Sequence, residues 1–341
     1  MPDWSELRER HALFWKRDPA AGVLEGTKRT SAFTLGDLHM AGTGAHVFPG
    51  DIGNEEACAW AERLYRRGGG FLDGDLVWGA PPLPGVPWME ALLGAEVLRS
   101  SDGSSLWPEK WVEDWDDFLA FSPDDAPDGW LARLTSIVHA LREHIGGRYP
   151  MTLALMQGPS DVLGALRGLD RFCLDIIDRP DRIEAAIGHV ADLWVDIATK
   201  LFAEIPAWDG GYPAPRLELW APGRLIRIEE DASILLGPEL FRDYLLEADR
   251  RICAAFDYSL IHIHSANHKV LPLLASAPEL SAIQVLIDTM GPPLEDLVGP
   301  LKAVQAAGKP LLITHELPEG EVDWLKHRLE PAGLALERMS L

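Results

Sequence analysis

The chain has 341 residues, 47% of them hydrophobic, and a formal net charge of -22. That length fits one barrel-sized domain with additions or two ordinary domains, and the apolar content is enough to bury a large core. A surface this acidic repels phosphate at long range, which argues against nucleic acid or an anionic membrane as partner; no basic cluster offsets it.

The chain opens Met1-Pro2-Asp3-Trp4-Ser5-Glu6 without an apolar core, and no later apolar run is long enough to span a bilayer. The expectation is a cytoplasmic protein with neither signal peptide nor membrane span. Cys58, Cys173 and Cys253 lie far apart. Their odd number and spacing speak against a disulfide framework and for a reducing compartment, with buried small hydrophobes as the ordinary role.

Residues 27–150 are rich in Trp, Pro, Gly and Asp and read as insertions and long loops around two or three early strands. Trp78, Trp88, Trp107, Trp111, Trp115 and Trp130 fall here. Trp78 and Trp88 are the candidates for stacking a flat or apolar ligand; packing of loops against the domain is the ordinary alternative. Asp73 and Asp75 stand ahead of the run Leu76-Val77-Trp78 and are candidates to face a pocket. Gly68-Gly69-Gly70 reads as a turn and matches no dinucleotide fingerprint, and no P-loop occurs, so nucleotide binding has no support.

From about residue 150 short apolar runs alternate with helical patterns, the sequence form of repeated β-α units and a parallel sheet. Met151 to Met156 reads as a strand, and Gly158-Pro159-Ser160-Asp161 breaks it and caps a helix. Arg179-Pro180-Asp181 opens a long amphipathic helix through Val190, Leu193, Ile197 and Leu201. Leu217 to Trp220 reads as the next strand, with Glu218 pointing inward as a substrate-binding or basic group. A helix from Gly237-Pro238-Glu239 leads into the strand Leu260-Ile261-His262-Ile263-His264. Beyond it come a helix from about Lys269, a strand at 282–287, a helix from Pro293 to Ala307, a strand Pro310 to Ile313, a helix from Glu319 to Leu329 and a strand Leu334 to Leu336.

The His-x-His strand end carries the chemistry. Alternate residues of a strand share a face, so His262 and His264 aim the same way. Asp288 ends the following apolar run, and two imidazoles with one carboxylate make a metal site in which His262, His264 and Asp288 are the candidate ligands. The bland alternative is a pair of packed, hydrogen-bonded histidines. His315 and Glu316 end a later strand and stand as a candidate fourth ligand or general base; a surface histidine and a cap glutamate are the alternative. His268 more naturally begins a helix, and Asp231 reads as a helix cap.

Several blocks taken together resemble the uroporphyrinogen decarboxylase superfamily, which includes the methylcobalamin:coenzyme M methyltransferases and is related to cobalamin-independent methionine synthase. They are Met156-Gln157-Gly158-Pro159-Ser160-Asp161 with Leu166-Arg167-Gly168, Ile177-Asp178-Arg179-Pro180-Asp181, the stretch from Glu230 to Phe241, and Ile261-His262-Ile263-His264-Ser265. The resemblance implies a single α/β domain over 1–341, a (β/α)8 TIM-type barrel with an elaborated N-terminal loop region. In the methyltransferases a His-x-Cys pair, a Glu after the next strand and a later Cys surround a zinc ion that activates a thiol. His262 matches the His, His264 stands at the first Cys, Asp288 matches the Glu, and the late Cys is missing.

On that footing the expectation is a metal-assisted methyl-transfer or demethylation enzyme. It would use Zn²⁺, with a corrinoid or corrinoid protein as methyl donor or acceptor, a small-molecule substrate and, by family habit, a homodimer. Two alternatives stand beside it. One is a metal-free decarboxylase of a porphyrinogen-like tetrapyrrole, although the family's N-terminal Arg-rich signature is absent and early arginines such as Arg29, Arg63, Arg66 and Arg67 do not reproduce it. The other is a non-catalytic barrel that binds a small ligand or a corrinoid protein.

Overall fold

The structure, a computed structural model, describes residues 3–28, 45–101, 105–122 and 129–339; Arg29 lies outside them. Six parallel strands form the central sheet. They are β1 (Leu24–Lys28), β2 (Leu225–Glu229), β3 (Tyr258–His264), β4 (Ala282–Ile287), β5 (Leu311–His315) and β6 (Leu334–Met339), hydrogen-bonded in the order β1-β6-β5-β4-β3-β2.

Two extended segments lie along the edge strands. Asp75 N donates to Glu25 O of β1 at 2.7 Å. Ala80 forms a parallel bridge with Met151, and Gly158 N donates to Glu229 O of β2 at 2.7 Å. The result is a mixed α/β fold with a parallel central sheet, consistent with a TIM-type barrel. Glycine is required where these segments close in: a Cβ on Gly26 would lie 2.2 Å from Asp73 O, and one on Gly158 2.5 Å from Glu229 O.

The period of two along each strand separates two cores. Ile226 and Ile228, Ile261 and Ile263, Ile283 and Val285, and Leu311 and Ile313 join the large cluster shared with the helices. Their alternates Leu24, Leu225, Leu260, Ala282, Leu312 and Ala335 join Leu76 in a second cluster on the opposite face. This face turns polar toward the carboxyl ends of the strands, where β3 presents His262 and His264.

The stretch Leu217 to Trp220 differs from its sequence reading. It belongs to a hairpin in which Tyr212–Pro213 pairs antiparallel with Trp220–Ala221, and the parallel strand lies just beyond it at Leu225–Glu229. Leu217 and Leu219 pack with Phe14 and the alternate strand residues, so the hairpin and the helix Trp4–Trp15 plug the amino-terminal end of the sheet. Asp75 serves that plug rather than a pocket: it pairs with Arg10 at 2.5 Å and accepts from Glu25 N. Asp73 likewise accepts from Thr27 N.

The long helix runs from Pro180 to Glu204 and buries Val190, Ile197 and Leu201 as its periodicity requires. The helix after Pro293 spans Leu294–Ala306, and that after Pro318 spans Glu319–Lys326. No helix among the described residues is long and apolar enough to cross a membrane.

Candidate metal centre

His262 and His264 project from the same face of β3, with ring centroids 5.2 Å apart and planes at 79°. The carboxylate that meets them is Asp231, two residues past the end of β2. Asp231 Oδ1 lies 3.3 Å from His262 Nε2, and Asp231 Oδ2 lies 3.4 Å from His264 Nε2. Each of the three offers one ligand atom within 4.8 Å of the others. Glu229 Oε1 stands 3.8 Å from His262 Nε2, while its other oxygen accepts from Arg227 Nη1 at 2.8 Å.

Each imidazole is held by its other nitrogen. His262 Nδ1 meets Gln284 Oε1, Gln284 Nε2 donates to Thr314 Oγ1 at 2.8 Å, and Thr314 Oγ1 donates to Glu337 Oε2 at 2.6 Å. The chain fixes the tautomer. Glu337 accepts the hydroxyl proton, Thr314 therefore accepts from the amide, and the remaining Gln284 oxygen needs an N–H from Nδ1. Nδ1 of His262 thus carries a proton, and its Nε2 is the nitrogen that faces Asp231. His264 Nδ1 meets Asp288 Oδ2, which leaves its Nε2 toward Asp231 as well.

The loop bearing Asp231 is clamped from behind. Asp161 accepts from Asp231 N at 3.0 Å and from Ala232 N at 2.5 Å, and Glu230 accepts from Ser160 N at 3.0 Å. Burial pushes the Asp231 carboxyl up, but its contacts with His262 and His264 outweigh this and hold it far below the usual range. Contact with Asp231 lifts His264 to about 9 against its burial, with Asp288 adding to the rise. Burial would raise Glu229 too, yet the charges of Arg227 and His262 bring it to about 2.

The donor set fits a divalent cation. A tetrahedral zinc with bonds of about 2.0–2.1 Å keeps its ligand atoms about 3.3–3.4 Å apart, the separations found between Asp231 and the two imidazoles. Asp231 Oδ1 is also buried without an aligned hydrogen-bond donor, as a ligand atom would be. A second grouping, His46, Glu96 and Glu109, lies exposed on the surface.

The sequence candidates divide accordingly. His262 and His264 come together. Asp288 reaches the site through Nδ1 of His264, and Asp231, read from sequence as a cap, is the carboxylate that faces both Nε2 atoms. His315 differs: β5 turns Thr314 toward the ladder that holds His262, so His315 lies on the opposite face. There it lines a separate cavity of about 400 Å³ with Glu25, Glu319, Lys326 and Arg338. Burial, then the charge of Arg338, lowers it to about 4.

Glu316 is exposed in the loop that follows. Glu218 is buried in the hairpin that plugs the sheet, and its carbonyl accepts from Val77 N at 2.7 Å. His268 Nδ1 meets the Ser265 carbonyl at 3.1 Å within the helical turn after β3. Trp78 is buried against Tyr149, centroids 5.7 Å apart. Trp88 is buried and lines a smaller cavity of about 210 Å³ with Glu90, Gln157 and Arg216.

No family model and no curated protein matches the chain. Among solved structures, a methyltransferase from Methanosarcina mazei superposes with a TM-score of 0.68 at 16% identity, over 97% of this chain and 92% of that one. A morphinone reductase complex reaches a TM-score of only 0.32 at 10% identity, over 97% of this chain and 77% of that one, too low to carry an argument. The chain therefore shares the mixed α/β fold of the archaeal methyltransferase over nearly its whole length.

Proposed function

We propose that the chain is a (β/α)8 barrel enzyme of the uroporphyrinogen decarboxylase-like type, and that it transfers or removes a methyl group with the help of zinc. In this reading segments 76–80 and 151–157 complete the circle between β1 and β2. The site then opens at the carboxyl ends of the strands, where such barrels do their chemistry. The observation that carries the proposal is the set Asp231, His262 and His264, two imidazoles presenting Nε2 to one half-buried carboxylate. The fold likeness to a methyltransferase supports it.

Asp231, His262 and His264 would hold the ion. When bound, zinc lowers the pKa of a thiol or water in its open position, so that a thiolate or hydroxide forms near neutral pH. Gln284 keeps the proton of His262 on Nδ1 and so keeps Nε2 free to ligate. Asp288 orients His264 in the same way. Glu229, charged and paired with Arg227, stands beside the open position. There its negative charge can tune that of the site. A corrinoid as methyl donor or acceptor, a corrinoid partner protein, a homodimer and a cytoplasmic location belong to the same proposal.

The metal-free decarboxylase alternative needs cations for a substrate of many carboxylates. Arg227 is already spent on Glu229, which leaves Arg216 as the cation beside the cavity. The test is direct. Zinc-loaded protein, methylcobalamin and a panel of small thiols are mixed and the loss of the methyl-corrinoid spectrum is followed. Turnover that vanishes in His262→Ala supports the proposal, and turnover unchanged in that variant counts against it.

A further inference from the structure

From the geometry around Arg216 we propose that the cavity beside Trp88 is a receptor for a small organic anion with an apolar body, the anion held by Arg216 and the far end met by Glu90. The proposal deepens the methyl-transfer reading, and rests on it for the anion's role as substrate.

Arg216 sits at the tip of the plugging hairpin and lines the cavity, yet it forms no hydrogen bond or ion pair with any described residue. A largely buried guanidinium without a partner is costly, and a planar fork of donors suits a carboxylate. Its backbone stands at φ 59, in the left-handed region where non-glycine residues are uncommon. Behind the lining residue Trp88, Leu83 also stands at φ 45, and its carbonyl and that of Pro82 accept from the indole N–H of Trp88 at 3.1 and 3.0 Å. Local strain of this kind is maintained where a site must keep its shape.

Glu90, 1% exposed, also lines the cavity, and its Oε1 accepts no hydrogen bond. Burial, and then the charge of Glu229, lift its carboxyl to about 7, so it can donate to a ligand oxygen. Leu106, Leu155 and the Trp88 ring supply apolar wall. The volume of about 210 Å³ is below the roughly 300 Å³ at which drug-sized pockets begin, which fits a single small molecule. Gln157 of the cavity lining precedes Gly158, whose N donates to Glu229 O at 2.7 Å, so the cavity borders the strand end that leads to Asp231.

Calorimetric titration with benzoate and with its uncharged counterpart benzamide tests this. Wild-type protein should bind benzoate about tenfold or more tightly than benzamide. Arg216→Gln, with an unchanged melting profile, should lose that preference, whereas His262→Ala/His264→Ala should keep it. No preference in the wild type, or an equal preference in Arg216→Gln, overturns the receptor. Because the double histidine variant lacks the metal ligands, benzoate binding there separates a failure of the zinc reading from a failure of this one. Zinc bound without benzoate binding leaves the metal centre standing and removes the receptor.

Discussion

Asp288 grips His264 by Nδ1, the nitrogen that faces away from Asp231, so the two carboxylates do different work on one imidazole. Asp231 should be a ligand and Asp288 an orienting group. Asp231→Ala should abolish retention of zinc in competition with a chelator. Asp288→Ala should weaken it about 10- to 100-fold. Full loss in Asp288→Ala with zinc retained in Asp231→Ala would reverse the assignment.

Gln284 links His262 to Thr314 inside the sheet, and all three are buried. Gln284→Leu keeps the size of the side chain but leaves the Nδ1–H and the Thr314 hydroxyl each short of a partner. Stability should fall by about 1–3 kcal/mol, and zinc affinity should fall with it as the imidazole loses its fixed tautomer. Denaturant midpoints and chelator competition on the same preparation measure both; an unchanged midpoint would mean that the ladder does not support the strands.

Arg167 and Asp175 form a buried pair at 2.8 Å, with side-chain exposures of 7% and 9%. Trp115 donates to the same carboxylate at 2.9 Å, and Arg167 also donates to the carbonyls of Val112 and Glu113. Arg167→Ala strands the carboxylate and should cost about 3–5 kcal/mol, read as a lowered unfolding midpoint. A double change, Arg167→Met with Asp175→Leu, should recover much of it.

His11 is fully buried; Trp220 N donates to its Nδ1 at 3.1 Å, so its Nε2–H donates to Asp75 O at 2.7 Å. Burial, against the two backbone hydrogen bonds, lowers it from 6.5 to about 4. The unfolded chain then binds the proton first, so this contribution is complete above about pH 6.5 and is lost as the pH falls toward 4. It amounts to something on the order of 3 kcal/mol, at about 1.4 kcal/mol per pKa unit. Between pH 6.5 and 4.5 the wild type should lose stability more steeply than His11→Gln; parallel curves would contradict the assignment.

Much of the second half was legible because its strands are short apolar runs between clear helix starts, as at Ala282–Ile287 and Leu311–His315. β2 escaped because Leu225-Ile226-Arg227-Ile228-Glu229 carries charge on its inner face, and the neighbouring Leu217 to Trp220 looked more apolar. Its alternation of Ile226 and Ile228 with Arg227 and Glu229 was a strand signal all the same. With β2 displaced, Asp231 could only look like a helix cap. The pairing of His264 with Asp288 through Nδ1 lies beyond any spacing rule, since ring orientation is set by tertiary neighbours. The same holds for Arg216, which reaches the cavity from a hairpin packed at the other end of the sheet.

The most direct test is the metal content of protein purified without chelator or affinity tag, compared with His262→Ala/His264→Ala. The account predicts about one zinc per chain in the wild type and none in the variant. Wild-type protein that takes up no zinc even when it is supplied would contradict it.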